Sequence, residues 1–286
     1  MRIEGTRLVA DTFLGTGTVL LSHYHRDHMV GLDNLRAGRV IYCSPITANL
    51  LKRMDGVPAE QVRTADVGEQ FEPEGGVRVT VLDSNHCPDA IMFLVEAAGK
   101  RVLYTGDFRL NDAVRRQCAP LAPVDLLYLD TTYDAPRYRF PPQHEAIEEA
   151  LALIRSSDAP TVFIAVYTIG KDRLLGAVHR AFGEPIYVSK AKFTACSLMG
   201  LGHMVTRDKQ ATRFRAYARG YFERYFKMQR AYHRGDSLVI IPTGWAIDEG
   251  DHDPAYHYVP YSEHCDYAEL CEFRELLRPR RIVALL

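Results

Sequence analysis

Apolar residues in the first part of the chain come in short runs bounded by Gly, Asp, Asn and Pro. Residues 18–23, 40–44, 77–85, 91–96, 102–105 and 126–129 are such runs, and each predicts a strand. Gly99-Lys100 between two of them predicts a hairpin turn. Behind Ser44-Pro45 the spacing changes. Ile46, Leu50, Leu51 and Met54 recur as on one face of an amphipathic helix. Residues 133–142 are rich in Pro, Tyr and Arg and read as a connection. Beyond them a helix (143–156), a strand (161–167), a helix (171–182) and a strand (185–189) alternate, as βα units do. Between 207 and 234, Phe214, Tyr217, Tyr221, Tyr225, Met228 and Tyr232 recur three or four apart, which predicts a long amphipathic helix. Strands at 238–242 and 257–260, a helix at 266–277 and a strand at 281–286 close the chain. There is no internal repeat. The simplest organisation is a first domain (1–135), an inserted α/β domain (136–245) and a segment (246–286) that returns to complete the first.

Composition narrows the class. The chain has 286 residues with 35 Lys+Arg against 36 Asp+Glu, a formal net charge of −1. That balance excludes a generally basic coat for nucleic acid and an acidic tail protein. A hydrophobic fraction of 47% supplies a sizeable core. No apolar run is long enough to span a membrane, and the first residues lack the apolar stretch of a secretory signal. Cys43, Cys87, Cys118, Cys196, Cys265 and Cys271 form no CxxC pair, which fits free thiols in a reducing compartment. The expectation is an intracellular α/β protein, not secreted.

The strongest chemical signal is Ser22-His23-Tyr24-His25-Arg26-Asp27-His28, which follows a predicted strand. On a loop leaving a strand, His23 and His25 can aim at one ion while Asp27 and His28 aim at another. Imidazole and carboxylate donors suit zinc, and also manganese or iron. His86 in Asn-His-Cys-Pro and Asp107 in Gly-Asp-Phe-Arg also end predicted strands, and strand ends of layered α/β proteins converge on one rim.

HxHxDH followed in order by His86 and Asp107 resembles the metallo-β-lactamase fold, a four-layered αββα sandwich that holds one or two metals. Asp-Thr-Thr-Tyr at 130–133, Tyr-Thr-Ile-Gly-Lys at 167–171, Pro-Thr-Gly-Trp at 242–245 and Pro-Tyr-Ser-Glu-His at 260–264 narrow the likeness. With them the chain is similar to the β-CASP nucleases of DNA cross-link repair, whose inserted α/β domain is the β-CASP domain. The likeness is weakest between about 190 and 236.

The resemblance implies roles. His23, His25, His86 and Asp107 would hold a first, tightly bound Zn2+. Asp27, His28 and the shared Asp107 would hold a second, weaker divalent metal such as Zn2+, Mn2+ or Mg2+. Asp11 matches an orienting aspartate that fixes a ligand histidine. Asp130 and His264 would act near the leaving group as an acid pair or a phosphate contact, and Asp27 would serve catalysis as well as metal binding. Metal-acidified water would hydrolyse a phosphodiester without a covalent intermediate. The implied activity is a DNA nuclease, a 5′-to-3′ exonuclease in cross-link or double-strand-break repair. Its partner would be DNA, single-stranded or with a free 5′ end, with RNA as an alternative. It would reside in the nucleus of a eukaryote, or otherwise in the cytoplasm.

Two places depart from the family pattern. Asp89 replaces a usual Gly near the metals. Cys265-Asp266-Tyr267 looks more like the RNA-processing branch. Leu286, by contrast, is apolar as in the DNA-repair branch, where the RNA-processing branch has a further histidine, and so disfavours the RNA reading. The departures leave a β-CASP ribonuclease, a small-molecule metallohydrolase and an inactive nucleic-acid-binding scaffold as competing readings. For nucleic acid itself, residues 207–234 carry nine Lys/Arg against Asp208 and Glu223. Arg219, Lys227, Arg230 and Arg234 would lie opposite the aromatic stripe as a phosphate-tracking face. Lys171 at a predicted helix start, and Ser262, are further phosphate candidates.

Overall fold

The computed structural model describes residues 1–218, 220, 237–247 and 256–285. The chain forms two compact units, Met1–Arg137 with His264–Leu286, and Tyr138–Glu263.

In the first unit, β1 (Val9–Ala10), β2 (Val19–Leu20), β3 (Ile41–Cys43) and β4 (Val62–Thr64) form a parallel sheet in that order, with α1 (Pro45–Met54) joining β3 to β4. A second, mixed sheet follows. β5 (Gln70–Glu74), β6 (Val77–Asp83), β7 (Ile91–Ala97) and β8 (Lys100–Tyr104) run antiparallel. After α2 (Asp112–Cys118), β9 (Leu126–Asp130) joins parallel to β8. Both faces of β7, β9 and the end of β8 are buried, which is why these strands read as continuous apolar runs rather than alternating ones. Val79, Val81, Phe93, Val95 and Tyr128 share a core with Ala10 and Leu20 of the first sheet. The intervening Leu82, Met92, Leu94, Leu103 and Leu127 pack on the other side. The β7–β8 turn is Ala98-Gly99, one residue earlier than expected; Ala97 pairs with Lys100 and both turn residues have positive φ, 48° and 74°.

The second unit begins with α3 (Gln143–Arg155). It is built on a six-stranded, all-parallel sheet formed by β10 (Thr161–Val166), β11 (Ile186–Val188), β12 (Val205–Thr206), β13 (Phe214–Ala218), β14 (Ser237–Pro242) and β15 (Tyr256–Val259). Their spatial order is β12-β11-β13-β10-β14-β15. α3, α4 (Asp172–Phe182) and α5 (Lys190–Leu198) contribute Ile154, Leu175 and Cys196 to one core with Ile164, Val188, Phe214 and Ile240.

Two expectations change here. Residues 214–218 are a central strand, not part of a helix. Phe214 and Ala216 enter one core while Arg215 and Tyr217 are half-buried on the opposite face, where Tyr217 packs with Phe163 and Val239, and strands on both sides supply hydrogen-bond partners that local spacing cannot reveal. The rest of that predicted helix, with Arg219, Lys227, Arg230 and Arg234, lies outside the described residues, as does Leu286. The segment expected to return to the first domain from 246 instead places β15 beside β14, and the return begins at His264.

The returning segment adds α6 (Tyr267–Leu277) and β16 (Ile282–Leu285). β16 extends the mixed sheet beside β9, while Leu270, Phe273 and Leu277 of α6 join Val114 and Cys118 of α2 over its outer face. The first unit therefore has the layered sheet-on-sheet architecture that the metal-binding motifs implied.

Candidate metal centre

Every predicted ligand sits just past a strand. β6, β8 and β9 point the same way, so His86, Asp107 and Asp130 emerge on one rim. His23, His25 and His28 follow β2, and Asp11 follows β1. Asp11, Asn85 and Asp89 take positive φ, 48°, 53° and 61°, a conformation Asx side chains tolerate better than most and one concentrated at functional loops. Gly106, at φ 51°, lets the Asp107 loop approach the histidine loop; a Cβ there would lie 2.7 Å from Ser22 Cβ.

Four donors converge. His23 Nε2 lies 2.8 Å from His25 Nδ1 and 3.6 Å from Asp107 Oδ2, and His86 Nε2 lies 3.3 Å from His25 Nδ1 and 3.6 Å from Asp107 Oδ2. Tetrahedral Zn2+ with ligands at about 2.0–2.2 Å gives ligand–ligand edges of about 3.3–3.6 Å. The donor chemistry agrees. His23 Nδ1 is 2.9 Å from Ser22 Oγ, whose own proton goes to Asp11 Oδ2 at 2.6 Å. His23 therefore donates at Nδ1 and presents a lone pair at Nε2. Burial, reinforced by His25, His28 and His86, holds the His23 pKa well below its ordinary value, so the ring is a neutral ligand. Burial opposes ionisation of Asp107 as well, but His264, His28 and His86 outweigh it and hold the carboxyl well below the usual range. These residues fit a divalent cation.

Asp11 organises the other side. Its carboxylate accepts from Ser22 N (2.7 Å), Ser22 Oγ, His28 Nδ1 (2.7 Å) and the Tyr104 hydroxyl (3.0 Å). His28 consequently turns Nε2 inward, 3.3 Å from Asp107 Oδ1 and 3.8 Å from Asp27 Oδ2. Burial disfavours its imidazolium, but Asp11 and Asp107 prevail and raise its pKa to about 11. Such a pocket attracts positive charge. Asp27 is the loosest of the predicted ligands, its side chain 79% exposed. Ser22 and Tyr104 were missed by sequence reasoning; only their contact with Asp11 reveals them. Asp11→Asn replaces acceptors by an N–H facing donors. It is expected to lower metal affinity about 10- to 100-fold, as changes behind metal ligands do. Competition against a chelator measures this, and unchanged affinity would show that Asp11 does not set the ligand geometry.

Asp130 and His264 are brought together, but in unequal positions. Asp130 is buried and accepts from His264 Nδ1 at 2.8 Å, Phe108 N at 3.3 Å, and Thr132 N and Oγ1 at 3.0 and 2.6 Å. His264 stands in front of it with Nε2 3.9 Å from Asp107 Oδ2 and its ring 4.7 Å from that of His86.

Two departures from the family pattern serve the fold. Asp89 Oδ2 accepts from Ile46 N at 2.8 Å, capping α1 in place of Ser44, whose hydroxyl is 3.0 Å from Thr47 Oγ1. Burial pushes the Asp89 carboxyl up. Asp89→Ala is expected to cost about 1 kcal/mol, as loss of a helix cap does, with the metal retained; denaturant unfolding checks it, and lost metal with intact stability would place Asp89 in the site instead. Cys265 is a core residue whose Sγ accepts from Leu110 N at 3.2 Å. Asp266 forms a capping box with Glu269 on α6, and Glu269 meets Arg109 of Gly-Asp-Phe-Arg at 2.9 Å.

The two remaining phosphate candidates lie in the second unit. Lys171 is buried, with Nζ donating to the Pro242 carbonyl and lying 4.6 Å from the Tyr167 ring centroid. Ser262 is also buried, its carbonyl accepting from Gln143 Nε2 at 2.8 Å.

Sequence comparison accords with this geometry. The beta-lactamase superfamily domain matches residues 6–165, and the DNA repair metallo-beta-lactamase domain matches residues 200–285. The chain belongs to the metallo-beta-lactamase superfamily. Among curated relatives, 5′ exonuclease Apollo of Gallus gallus is 35% identical over 99% of this chain and 63% of its own length. That of Rattus norvegicus is 33% identical over 93% of this chain, which spans half of the relative. DNA cross-link repair 1A protein of Homo sapiens is 29% identical over 99% of this chain and 30% of its own length. A solved structure from Enterococcus faecalis V583, described as a protein of unknown function, shares the fold with a TM-score of 0.69 at 15% identity, covering 94% of this chain and 75% of that one.

Proposed function

We propose that this chain is a metal-dependent nuclease that hydrolyses DNA phosphodiester bonds, working as a 5′-to-3′ exonuclease in repair. The observation that carries this is the convergence of His23, His28 and His86 on one carboxylate, Asp107, with His264 facing the same carboxylate and His25 beside His23 and His86. The names of the relatives support it. His23, His25, His86 and Asp107 would hold a tightly bound Zn2+, and Asp27, His28 and Asp107 a weaker divalent ion. When bound, these ions supply Lewis acidity toward phosphoryl oxygens and acidify water towards neutral pH. The protein does the orienting. Asp11 and Ser22 fix the tautomers of His28 and His23, and Asp130 fixes that of His264. His264, protonated at Nε2, delivers a proton to the leaving oxygen, while Asp130 stabilises its imidazolium from behind. Of the features that resembled the RNA-processing branch, Cys265 lies in the core and Asp266 caps a helix. Nuclear residence in a eukaryote accompanies this reading; among the described residues no helix is long and apolar enough to cross a membrane.

The deciding experiment is cleavage of 5′-phosphorylated, end-labelled single-stranded DNA and RNA by metal-replete protein. Ladders from DNA that depend on the 5′ phosphate are expected. RNA-only cleavage, or metal-replete protein inert on both, would overturn the proposal.

A further inference from the structure

We propose that Asp55, at the end of α1, is a positioning residue for the metal loop: it holds Tyr24 and Arg26, the two residues that flank His25, and so sets where His25 points. This rests on the metal centre of the nuclease reading and adds a support that acts on the loop from another element.

Within His23-Tyr24-His25-Arg26 the ligands alternate with residues that turn elsewhere. His23 Nε2 and His25 Nδ1 meet at 2.8 Å among the metal donors. Tyr24 and Arg26 send their side chains to Asp55 instead. The Tyr24 hydroxyl donates to Asp55 Oδ2, and Arg26 Nη2 lies 2.8 Å from Asp55 Oδ1. The guanidinium carbon is 5.8 Å from the centre of the Tyr24 ring, so the three side chains close a triangle. One carboxylate thereby grips the chain on both sides of His25. The His25 backbone between the two arms is extended, with φ −109° and ψ 146°, and leads straight into the helical turn that carries Asp27 and His28.

The two arms differ in weight. Tyr24 is 3% exposed and the Asp55 side chain 11%, so their hydrogen bond is shielded from water and strengthened by the charge of the acceptor. The Arg26 side chain is 70% exposed, where an ion pair contributes little. Tyr24 is the main arm.

The place of Asp55 in its own helix argues for the same role. It is the C-terminal cap of α1, its N–H bonded to the Leu51 carbonyl at 3.2 Å. The carbonyl end of a helix disfavours negative charge, and Gly56 behind it, at φ 70°, is the residue type that ends a helix. The helix alone does not call for an acid here; the loop does. Ala48, Leu50 and Leu51 are wholly buried, which makes α1 a fixed base for the grip. Ser22 and Asp11 orient the rings of His23 and His28, and Asp55 orients the backbone between those two ligands.

The test measures the Zn2+ affinity of the protein by competition against a chromophoric chelator, and the visible absorption of the Co2+-loaded protein, with denaturant unfolding to establish that each variant folds. Tyr24→Phe keeps the ring and removes only the hydroxyl. Asp55→Ala removes both arms, whereas Asp55→Asn keeps an acceptor for Tyr24. The expected result is a loss of Zn2+ affinity of about tenfold in Tyr24→Phe and in Asp55→Ala, the lower end of what support behind metal ligands contributes, with an altered Co2+ spectrum. Asp55→Asn should retain most of the affinity. Tyr24→Phe combined with Asp55→Ala should lose no more than Asp55→Ala alone, because both changes break the same interaction. Unchanged Zn2+ affinity and an unchanged Co2+ spectrum in Tyr24→Phe and Asp55→Ala would make Asp55 a residue of the fold alone, overturning the proposal and leaving the centre standing. Unmutated protein that binds neither Zn2+ nor Co2+ would overturn the proposal together with the metal centre on which it rests.

Discussion

Asp107→Asn is expected to remove bound metal and to lower DNA cleavage by about a thousandfold or more, the scale of several kcal/mol of lost metal-ion catalysis. Asp107 is singled out because its two oxygens face different partners. Oδ2 lies 3.6 Å from both His23 Nε2 and His86 Nε2, whereas Oδ1 lies 3.3 Å from His28 Nε2. No other described carboxylate touches both histidine groups. An amide keeps one weak donor oxygen and turns an N–H toward imidazole nitrogens whose lone pairs point inward. It also withdraws the negative charge that offsets a cation in a buried pocket. Elemental analysis of purified protein together with single-turnover cleavage measures the effect, and circular dichroism confirms that the fold persists. Full metal content with full activity would remove Asp107 from the centre and, with it, the bridging role proposed for it.

The parts of this site that sequence alone made legible are those whose donors are close in the chain or end an apolar run. His23, His25, Asp27 and His28 lie on one loop after β2, and His86 and Asp107 each follow a strand whose apolar pattern is plain. What supports them was not legible. Ser22 and Tyr104 are ordinary residues until the two sheets face each other and bring both to Asp11. Asp89 read as an extra acid near the metals because its partner, Ile46 N, lies in the first turn of α1, far away in the chain. The same limit explains the error at 214–218, where aromatic spacing suited a helix but β10 and β11 supplied the pairing. β5 was missed for the opposite reason: Gln70, Glu72 and Glu74 give a polar strand with little apolar face to bury. Local pattern records what a segment can bury, and only the assembled fold records which donor meets which acceptor.

Asp130→Asn is expected to lower kcat by about 10²- to 10⁴-fold while leaving the metal in place, the behaviour of an aspartate that orients a catalytic histidine. The carboxylate accepts four hydrogen bonds, from His264 Nδ1 and Phe108 N on one oxygen and from Thr132 N and Oγ1 on the other. An amide cannot reproduce that set. With its oxygen toward Thr132, its NH2 faces the Phe108 N–H and forces His264 to accept at Nδ1, so the neutral ring carries its proton on the wrong nitrogen. With its oxygen toward His264, its NH2 meets the Thr132 N–H, and a buried donor is left unmet at about 1–3 kcal/mol. Either way the negative charge behind the imidazolium is gone, so the His264 pKa falls. The fraction able to donate a proton to the leaving oxygen then shrinks, and the limb of the pH–rate profile due to that acid moves to lower pH. Single-turnover rates across pH, with metal content measured on the same samples, separate the possible roles. A raised KM with unchanged kcat would make His264 a phosphate contact instead of the acid. Loss of metal would make it a ligand, which its placement with His86 and Asp107 also permits. A fall in kcat with a displaced pH limb and full metal content is the result that assigns the proton to His264.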